Sequence, residues 1–520
     1  MIMPPKDKRI QPFLEQINAL KASVFDKNII IDHQDLAIKN KDQMIANLKE
    51  ALRLAQHQRF AASSEKLNTD QQSFVFDEAE GIADIAPTPE TLEVASHQRK
   101  KKRTAISDDL PRVEVIHDLD EVEKVCPKDG TALKHIGDEC SEQVDYIPAK
   151  ITILRHRRLK YACPCCKQFI VTAKKPPQPI EKSIASPSLL AQIATHKYCD
   201  GLPLYRQVPL FKRAGITLDR TSLANWMIKC GQLIQPLINL IQEHITRSAV
   251  VCMDETVLQV LTESTRRAQQ DSRMWVMTNY QSDHKAVVFA YSETRAACHA
   301  DALLGDFNNA LMTDGYAVYE SLAKKNSFTS LGCWAHARRY FKEAKESQPK
   351  GSKTSKVDMA LSLIQKLYLI EKAAKTKSNT DRYHDRQQLS LPAVKKLRQW
   401  LDKTLQHPVN SAKLTKALTY LNNQWPKLIG YLDDGAYPID NNTAENAIRP
   451  FVIGRKNWLF AATPKGATAS ANLYSLVETA KANNLSPSDY LQNVFTQLPA
   501  AQNIDDIEAL LPWNVKDVVR

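Results

Sequence analysis

Three acidic residues stand in settings that suit metal chemistry. Ala249-Val-Val-Cys-Met-Asp254 is an apolar, strand-like run ending in an acid, and Ala310-Leu-Met-Thr-Asp314-Gly-Tyr316 repeats the pattern. Glu445 lies in Ile439-Asp-Asn-Asn-Thr-Ala-Glu-Asn-Ala-Ile-Arg-Pro-Phe-Val-Ile-Gly-Arg-Lys-Asn-Trp-Leu-Phe460, three residues after Asn442, a good helix N-cap. A short strand-like run and the basic pair Arg455 and Lys456 follow, cations suited to phosphate. Taken alone, Glu445 also fits a capping box that reaches back to the Asn442 backbone. Two carboxylates held close repel unless a cation binds between them. Mg²⁺ prefers oxygen ligands, and two such ions roughly 4 Å apart suit phosphodiester chemistry. A third carboxylate usually completes such a site. Asp440 and Glu478 compete with Glu445 for that place, and Glu255, next to Asp254 on a strand, should face away.

The elements around the acids suggest how they meet. Met274-Trp-Val-Met-Thr and Ala286-Val-Val-Phe-Ala-Tyr read as strands that form a meander with the first. Cys298 to Phe307 reads as a helix, and Ser330-Leu-Gly-Cys-Trp-Ala-His336 as a fifth strand. Three strands, then alternating helix and strand, is the order of an RNase H-like fold, in which the first and fourth strands are neighbours. Asp254 and Asp314 would then stand side by side.

A chain of 520 residues is too long for one core. The expectation is multidomain α/β, with an RNase H-like core at 247–336 and 431–486 and a basic helical insertion at 337–430. That insertion holds 20 Lys/Arg against 7 Asp/Glu, a surplus that accounts for the whole net charge of +12. Such a segment suits a polyanion such as DNA, or is simply a solvated face. Nothing apolar approaches the roughly 18 residues of a membrane span. Met1-Ile-Met-Pro-Pro-Lys lacks a signal-peptide core, and ten cysteines are few, so a reducing cytoplasm is expected.

Towards the N-terminus, Ile17, Val24, Ile31, Ile38, Ile45 and Leu52 recur every seven residues. This seam predicts a coiled-coil oligomerisation helix over 10–67, in a homodimer or higher oligomer, although the matching d positions turn polar at Lys27, Gln34 and Lys41. Residues 68–115 read as a disordered linker, acidic at first and then carrying Arg99-Lys-Lys-Lys-Arg103. A zinc-ribbon-like β module is expected over 116–173. Its second knuckle, Cys163 and Cys166, is intact, but Asp129 follows Cys126 where a sulfur should sit. Zinc accepts carboxylate oxygen, so Cys126, Asp129, Cys163 and Cys166 form a candidate set, with Cys140, Cys165 and His135 as other fourth ligands and a metal-free ribbon as the alternative. Residues 180–246 read as a helical DNA-binding module of helix-turn-helix pattern. Arg220, Thr221, Ser222 and Asn225 would face a groove, unless the module is only a structural bundle. Residues 487–520 read as a C-terminal tail.

The chain resembles transposases of the insertion-sequence-66 family nearly end to end. The resemblance rests on Ser63-Ser-Glu-Lys-Leu67, Lys197-Tyr-Cys-Asp-Gly-Leu-Pro-Leu-Tyr-Arg-Gln207, Asp254-Glu-Thr256, Asp314-Gly-Tyr316, Cys333-Trp-Ala-His-Ala-Arg-Arg339, Ile439 to Phe460 and Leu510-Leu-Pro-Trp513. It implies that Asp254, Asp314 and Glu445 are the catalytic, Mg²⁺-binding Asp-Asp-Glu triad. It implies cutting of double-stranded DNA at element ends and transfer of the freed 3′-hydroxyl into target DNA. His336, Arg338 and Arg339 match a family motif near the site and would contact phosphate. Two small accessory proteins of the same element are implied partners, and the setting is a bacterial, nucleoid-associated one. The departures are Asp129 in the ribbon and Ala61-Ala62 where Gly-Arg usually precedes Ser63. A catalytically inactive end-binding protein, a nuclease without strand transfer and a scaffold whose acids merely cap and pair are the alternatives.

Overall fold

The computed structural model describes residues 7–60, 113–116, 151–162, 170–264, 266–267, 270–349 and 355–515, with isolated positions between 124 and 143. Cys126, Asp129, His135, Cys140, Cys163, Cys165 and Cys166 lie outside the described residues. Residues 86–155 form a unit of their own, separate from the unit made by 1–85 and 156–520. In the larger unit, β1 (Lys160–Ala162) and β2 (Ile170–Thr172) pair antiparallel, with Tyr161 opposite Val171. They frame the sequence position of the Cys163–Cys166 knuckle. Residues 151–159 of the expected β module are not strand, and β1 begins at Lys160.

The heptad stretch forms one helix, α1 (Asp7–Phe60). Leu20, Val24, Ile38, Ile45, Leu48 and Leu52 on it are all exposed. Towards its end it meets the rest of the chain: Leu54 is buried, and Glu50 accepts from the Ser411 hydroxyl and the Lys413 amide.

Four helices follow: α2 (Pro187–Tyr198), α3 (Leu204–Arg213), α4 (Arg220–Leu233) and α5 (Gln235–Thr246). Ser186 caps α2 by accepting from the Leu189 amide, with Pro187 at the first helical position, where no donor is needed. Gly215 turns the chain between α3 and α4 at φ +93°, a conformation that favours glycine.

The central sheet consists of β3 (Val250–Gln259), β4 (Asp271–Asn279), β5 (Val287–Ser292), β6 (Ala310–Thr313) and β7 (Thr329–Gly332). Its order is β5-β4-β3-β6-β7. The first three strands are antiparallel, while β6 and β7 run parallel to β3. Between them lie α6 (Ala297–Leu304) and α7 (Ala317–Asn326). The fifth strand stops at Gly332, and Trp334 already begins α8 (Trp334–Glu346), so His336 is helical rather than extended.

The insertion packs a second core of its own. Its helices are α9 (Lys356–Ala374), α10 (Asn379–Asp385), α11 (Leu391–Leu405), α12 (Ala412–Asn423) and α13 (Trp425–Ile429). Trp334, Phe341, Ile364, Leu397, Leu418 and Tyr431 are buried together there. Arg386 is buried in the same region and forms a two-pronged pair with Glu371 at 2.8 and 2.7 Å. It also donates to the carbonyls of Tyr431, Asp434 and Tyr437. The insertion thereby grips the loop that leads to Glu445. At Gly435 a Cβ would run into the Asn379 carbonyl, so the loop lies flush on α10.

The chain closes with α14 (Asn442–Trp458), α15 (Pro464–Ala482), α16 (Pro487–Gln497) and α17 (Ile504–Glu508). The run after Pro450, read above as strand-like, continues α14. Helix α15 crosses the free edge of β5, where Thr479 and Ser475 accept from the Val287 and Phe289 amides. An unpaired sheet edge is covered in this way. Gly231 of α4 touches Ala469, and Asn472 donates to the Gly231 carbonyl, so α2 to α5 share one core with the sheet. The segment read as a tail is folded: Tyr490, Leu491, Val494 and Phe495 form a buried face, and the Tyr490 hydroxyl donates to the Leu510 carbonyl.

Removing the charge of Arg386 would strand the Glu371 carboxylate and leave buried carbonyls unpaired. Arg386→Met should therefore cost about 3–5 kcal/mol. A lower urea midpoint for the variant, read by tryptophan fluorescence, is the expected result.

Candidate active site

Strand register brings the two aspartates together. In the parallel pair, Cys252 of β3 lies opposite Met312 of β6. Two residues further on each strand are Asp254 and Asp314, level with one another and on the same face. The pairing ends there, because Gly315 takes φ +90° and turns the chain out of the sheet. The Asp314 carboxylate accepts from the Tyr316 amide at 2.9 Å, and its carbonyl accepts from the Tyr420 hydroxyl at 2.9 Å.

Glu445 arrives from above β3. The fully buried Asn441 donates through its side chain to the Met253 carbonyl at 2.8 Å, and its amide donates to Cys333 Sγ at 3.2 Å. The Trp334 amide donates to the Ile439 carbonyl, so this segment is fixed between β3 and the start of α8. Glu445 follows one turn later, almost fully buried. At the far end of α14, Arg455 donates to Thr256 Oγ1 and the Val257 carbonyl. Both ends of α14 are thus tied to β3, and the helix lies along the strand that carries Asp254.

No capping box forms. Asn441 rather than Asn442 is the N-cap, without a side-chain cap, and the Asn442 amide is taken by Asp440 Oδ1 at 3.1 Å. The Glu445 carboxylate turns instead to α8. His336 Nδ1 stands 3.3 Å from its Oε1, and Arg339 Nη2 donates to its Oε2 at 3.4 Å. His336 and Arg339 are three residues apart on one helix, which aims both at the same carboxylate.

The competitors have other partners. Asp440 accepts from Tyr368 and Asn442. Glu478 is paired with Lys481 on α15. Glu255 does not leave the neighbourhood, contrary to the strand-face expectation. Arg295 Nε donates to it at 2.6 Å, and Arg295 Nη2 also lies 3.8 Å from Asp314 Oδ2. The Arg295 guanidinium sits 3.5 Å over the Tyr316 ring, and Tyr319 donates to Glu255 Oε2. Nothing in the sequence singles out Arg295, because it lies in a loop between β5 and α6. Asn441 and Cys333 stand inside recognised motifs but have no chemistry of their own until folded.

Electrostatics couple the acids. Burial pushes Asp254 up to about 7, with Glu255 and Asp314 adding to the rise and Arg339 opposing it. Burial likewise lifts Glu445 to about 8; Arg339 opposes this, and Asp254, Asp440 and Asp314 add to it. Burial and then Arg339 hold His336 down at about 4, so it is neutral at physiological pH.

Among the DNA-contact candidates, Arg220 and Asn225 are exposed on the first turns of α4. Ser222 is occupied in capping: its amide and hydroxyl donate to Asp219. Arg338 is half-buried, Arg455 is tied to β3, and Lys456 is exposed.

Comparison with known families gives the class: four models, all of transposase domains, match along the chain. The model described as Transposase IS66 family matches residues 182–469, and the IS66 C-terminal element matches 475–513. The zinc-finger binding domain of transposase IS66 matches 123–167, and a model described as Transposase C of IS166 homeodomain matches 47–115. The uncharacterized protein y4qI of Sinorhizobium fredii (strain NBRC 101917 / NGR234) is 32% identical over 504 residues, covering 92% of this chain and 90% of that protein. From the same organism, y4jD is 31% identical over 419 residues, covering 78% and 81%, and y4hP is 26% identical over 494, covering 91% and 88%. The chain belongs to the IS66 transposase family. Membership points to DNA as the partner and to a DNA-processing enzyme. Among the described residues, no helix is long and apolar enough to cross a membrane.

The raised acids have a consequence for stability. Above the ordinary carboxylate pKa, the folded protein holds protons on Asp254 and Glu445 that the unfolded chain has lost. This contribution is fully present below about pH 4 and disappears as pH rises through the folded values near 7 and 8. In chelator, the melting temperature should therefore fall from about pH 5 to about pH 9, and Glu445→Gln should flatten that fall.

Proposed function

We propose that this protein is a DNA transposase with an RNase H-like core, which cuts strands at the ends of its mobile element and joins the freed 3′-hydroxyl to target DNA. The convergence of Asp254, Asp314 and Glu445 carries this reading. Strand order and direction, with β3 flanked by antiparallel β4 and parallel β6, support the fold assignment. The acid cluster fits divalent cations such as a pair of Mg²⁺ ions. It offers only oxygen ligands, Asp314 adds to the rise of both Asp254 and Glu445 towards the neutral form, and the Glu445 Oε1 atom is buried without a hydrogen-bond partner among the described residues. Bound there, such ions would neutralise the site and favour attack at phosphorus.

The chain's own groups do the rest. Water displaces the 3′-oxygen at the scissile phosphorus, and the released 3′-hydroxyl then displaces an oxygen at a target phosphorus. Arg339 and Arg295 flank the acids, each partly exposed, and would orient phosphate oxygens. Arg339 would hold Glu445 through its second oxygen, and the neutral His336 stands beside the first without adding charge. The basic insertion, Arg338 and Lys456 would carry the flanking duplex. Arg220 and Asn225 on α4 would read the element's end. Cys126, Asp129, Cys163 and Cys166 would hold zinc in the ribbon, a reading supported by the zinc-finger match over 123–167. The exposed seam of α1 would pair with a second copy, so that two ends are held together, and small accessory proteins of the element would join them. The setting is the bacterial cytoplasm, at the nucleoid.

Cleavage and joining of a labelled duplex bearing the element's own end, in Mg²⁺, tests the centre of this reading. Asp254→Asn, Asp314→Asn and Glu445→Gln should each bind the duplex and neither cut nor join it. An active Glu445→Gln would remove that residue from the triad, and a wild type that binds without cutting would favour an end-binding protein. Placing charge in the seam, as Ile38→Glu with Ile45→Glu, should lower the mass seen by light scattering while leaving the helical core's melting unchanged.

A further inference from the structure

Cys333, His336 and Glu445 present a second set of donors beside the acid cluster. Cys333 precedes α8 and His336 lies in its first turn, so both face the same way. Cys333 Sγ, an imidazole nitrogen of His336 and a Glu445 carboxylate oxygen all lie within 4.8 Å of one another. A tetrahedral ion with bonds of about 2.0–2.3 Å holds its ligands roughly 3.3–3.8 Å apart. The His336–Glu445 pair is already at 3.3 Å. The geometry there is not that of a hydrogen bond, and both His336 Nδ1 and Glu445 Oε1 are buried with no such partner among the described residues. Glu445 has only 3% of its side chain exposed. The Asn441 amide pointing at Cys333 Sγ is the kind of outer contact that steadies a coordinated thiolate.

Sulfur, imidazole nitrogen and one carboxylate oxygen form a donor set for zinc, not for Mg²⁺. We propose that Cys333, His336 and Glu445 constitute a separate site for a zinc-like ion, and that its occupancy withdraws Glu445 from Asp254 and Asp314 and stops strand cutting. Coordination releases the thiol proton to solvent and leaves a water on the fourth position. The site itself stands on geometry alone; its inhibitory effect rests on the transposase reading.

Cobalt(II) is the probe, added to the full-length protein and to Cys333→Ser and His336→Gln. Sulfur-to-cobalt charge transfer absorbs in the near ultraviolet. The ribbon cysteines contribute equally to all three proteins, so they cancel in difference spectra. Wild type should exceed Cys333→Ser by one thiolate's intensity, and His336→Gln should need at least roughly tenfold more cobalt to develop that part, since loss of even an outer-shell partner weakens metal sites that much. Identical spectra and titrations for wild type and variants overturn the site. Should Cys333→Ser not fold, the His336→Gln titration decides, because it retains the thiol. In the cleavage assay, zinc should inhibit wild type in constant Mg²⁺ and inhibit Cys333→Ser at least roughly tenfold less well. Equal inhibition overturns the regulatory role. A wild type that never cuts would sink the transposase reading, while the cobalt spectra still decide the site.

Discussion

Bringing the buried Glu445 up to the half-buried Asp254 and Asp314 at the end of β3 is the constraint on which the rest of the structure depends. Asp254 and Glu445 are each driven towards the neutral form by burial, and each feels Asp314 besides. Such a cluster holds only if its backbone cannot relax. Register does this for the aspartates, since neither β3 nor β6 can slip without exposing a run of core residues. Glu445 has no strand to hold it, so its segment is tied by hydrogen bonds at Ile439, Asn441 and Arg455. Arg339 and Arg295 supply partial compensation from the rim, and both retain partial exposure.

The insertion is part of this restraint. Its net positive charge suggests a surface for DNA, yet many of its cations have carboxylate partners: Lys345 with Asp358, Lys377 with Asp385, Arg398 with Asp402, Lys413 with Glu343 and Lys427 with Glu320. Arg386 and Arg382 are buried and bind the carbonyls of the 431–437 loop. Removing the insertion's core would free the loop that aims Glu445. The same helices set the wall beside Asp314, where Tyr420 holds the aspartate's carbonyl and packs against Tyr340 at 4.7 Å between ring centroids.

At either end, the chain uses opposite solutions for apolar surface. Among the described residues of α1, eight large apolar side chains are exposed, Val24, Ile38, Ile45 and Leu52 of the heptad seam among them. The C-terminal helices instead bury Tyr490, Leu491, Val494 and Phe495 against the helices that precede the sheet. The two halves of the main core, before and after the insertion, are joined by Asn472 and Ser475 of α15, which meet α4 and the edge of β5 respectively.

The acids, four of the five strands and the heptad period were legible in the sequence, because each rests on a local pattern, while the fifth strand ends at Gly332, short of the His336 expected. An apolar run ending in an acid reads as a strand end wherever it falls, and a seven-residue period reads as a seam. The pairing of Asp254 with Asp314 was also within reach, since strand order follows from the sequence of elements. What Glu445 does was not. A carboxylate three residues after an asparagine satisfies a capping box locally, and only the arrival of α8, with His336 and Arg339 on one face, draws it elsewhere. Pro450 concealed the continuation of α14, whose length is set by its two attachments to β3 rather than by propensity. Arg295, Asn441 and Cys333 gain their roles from partners far away in sequence. Local pattern determined which groups are present and which elements carry them; contacts between distant segments decided which groups meet, because burial and charge act through space and not along the chain.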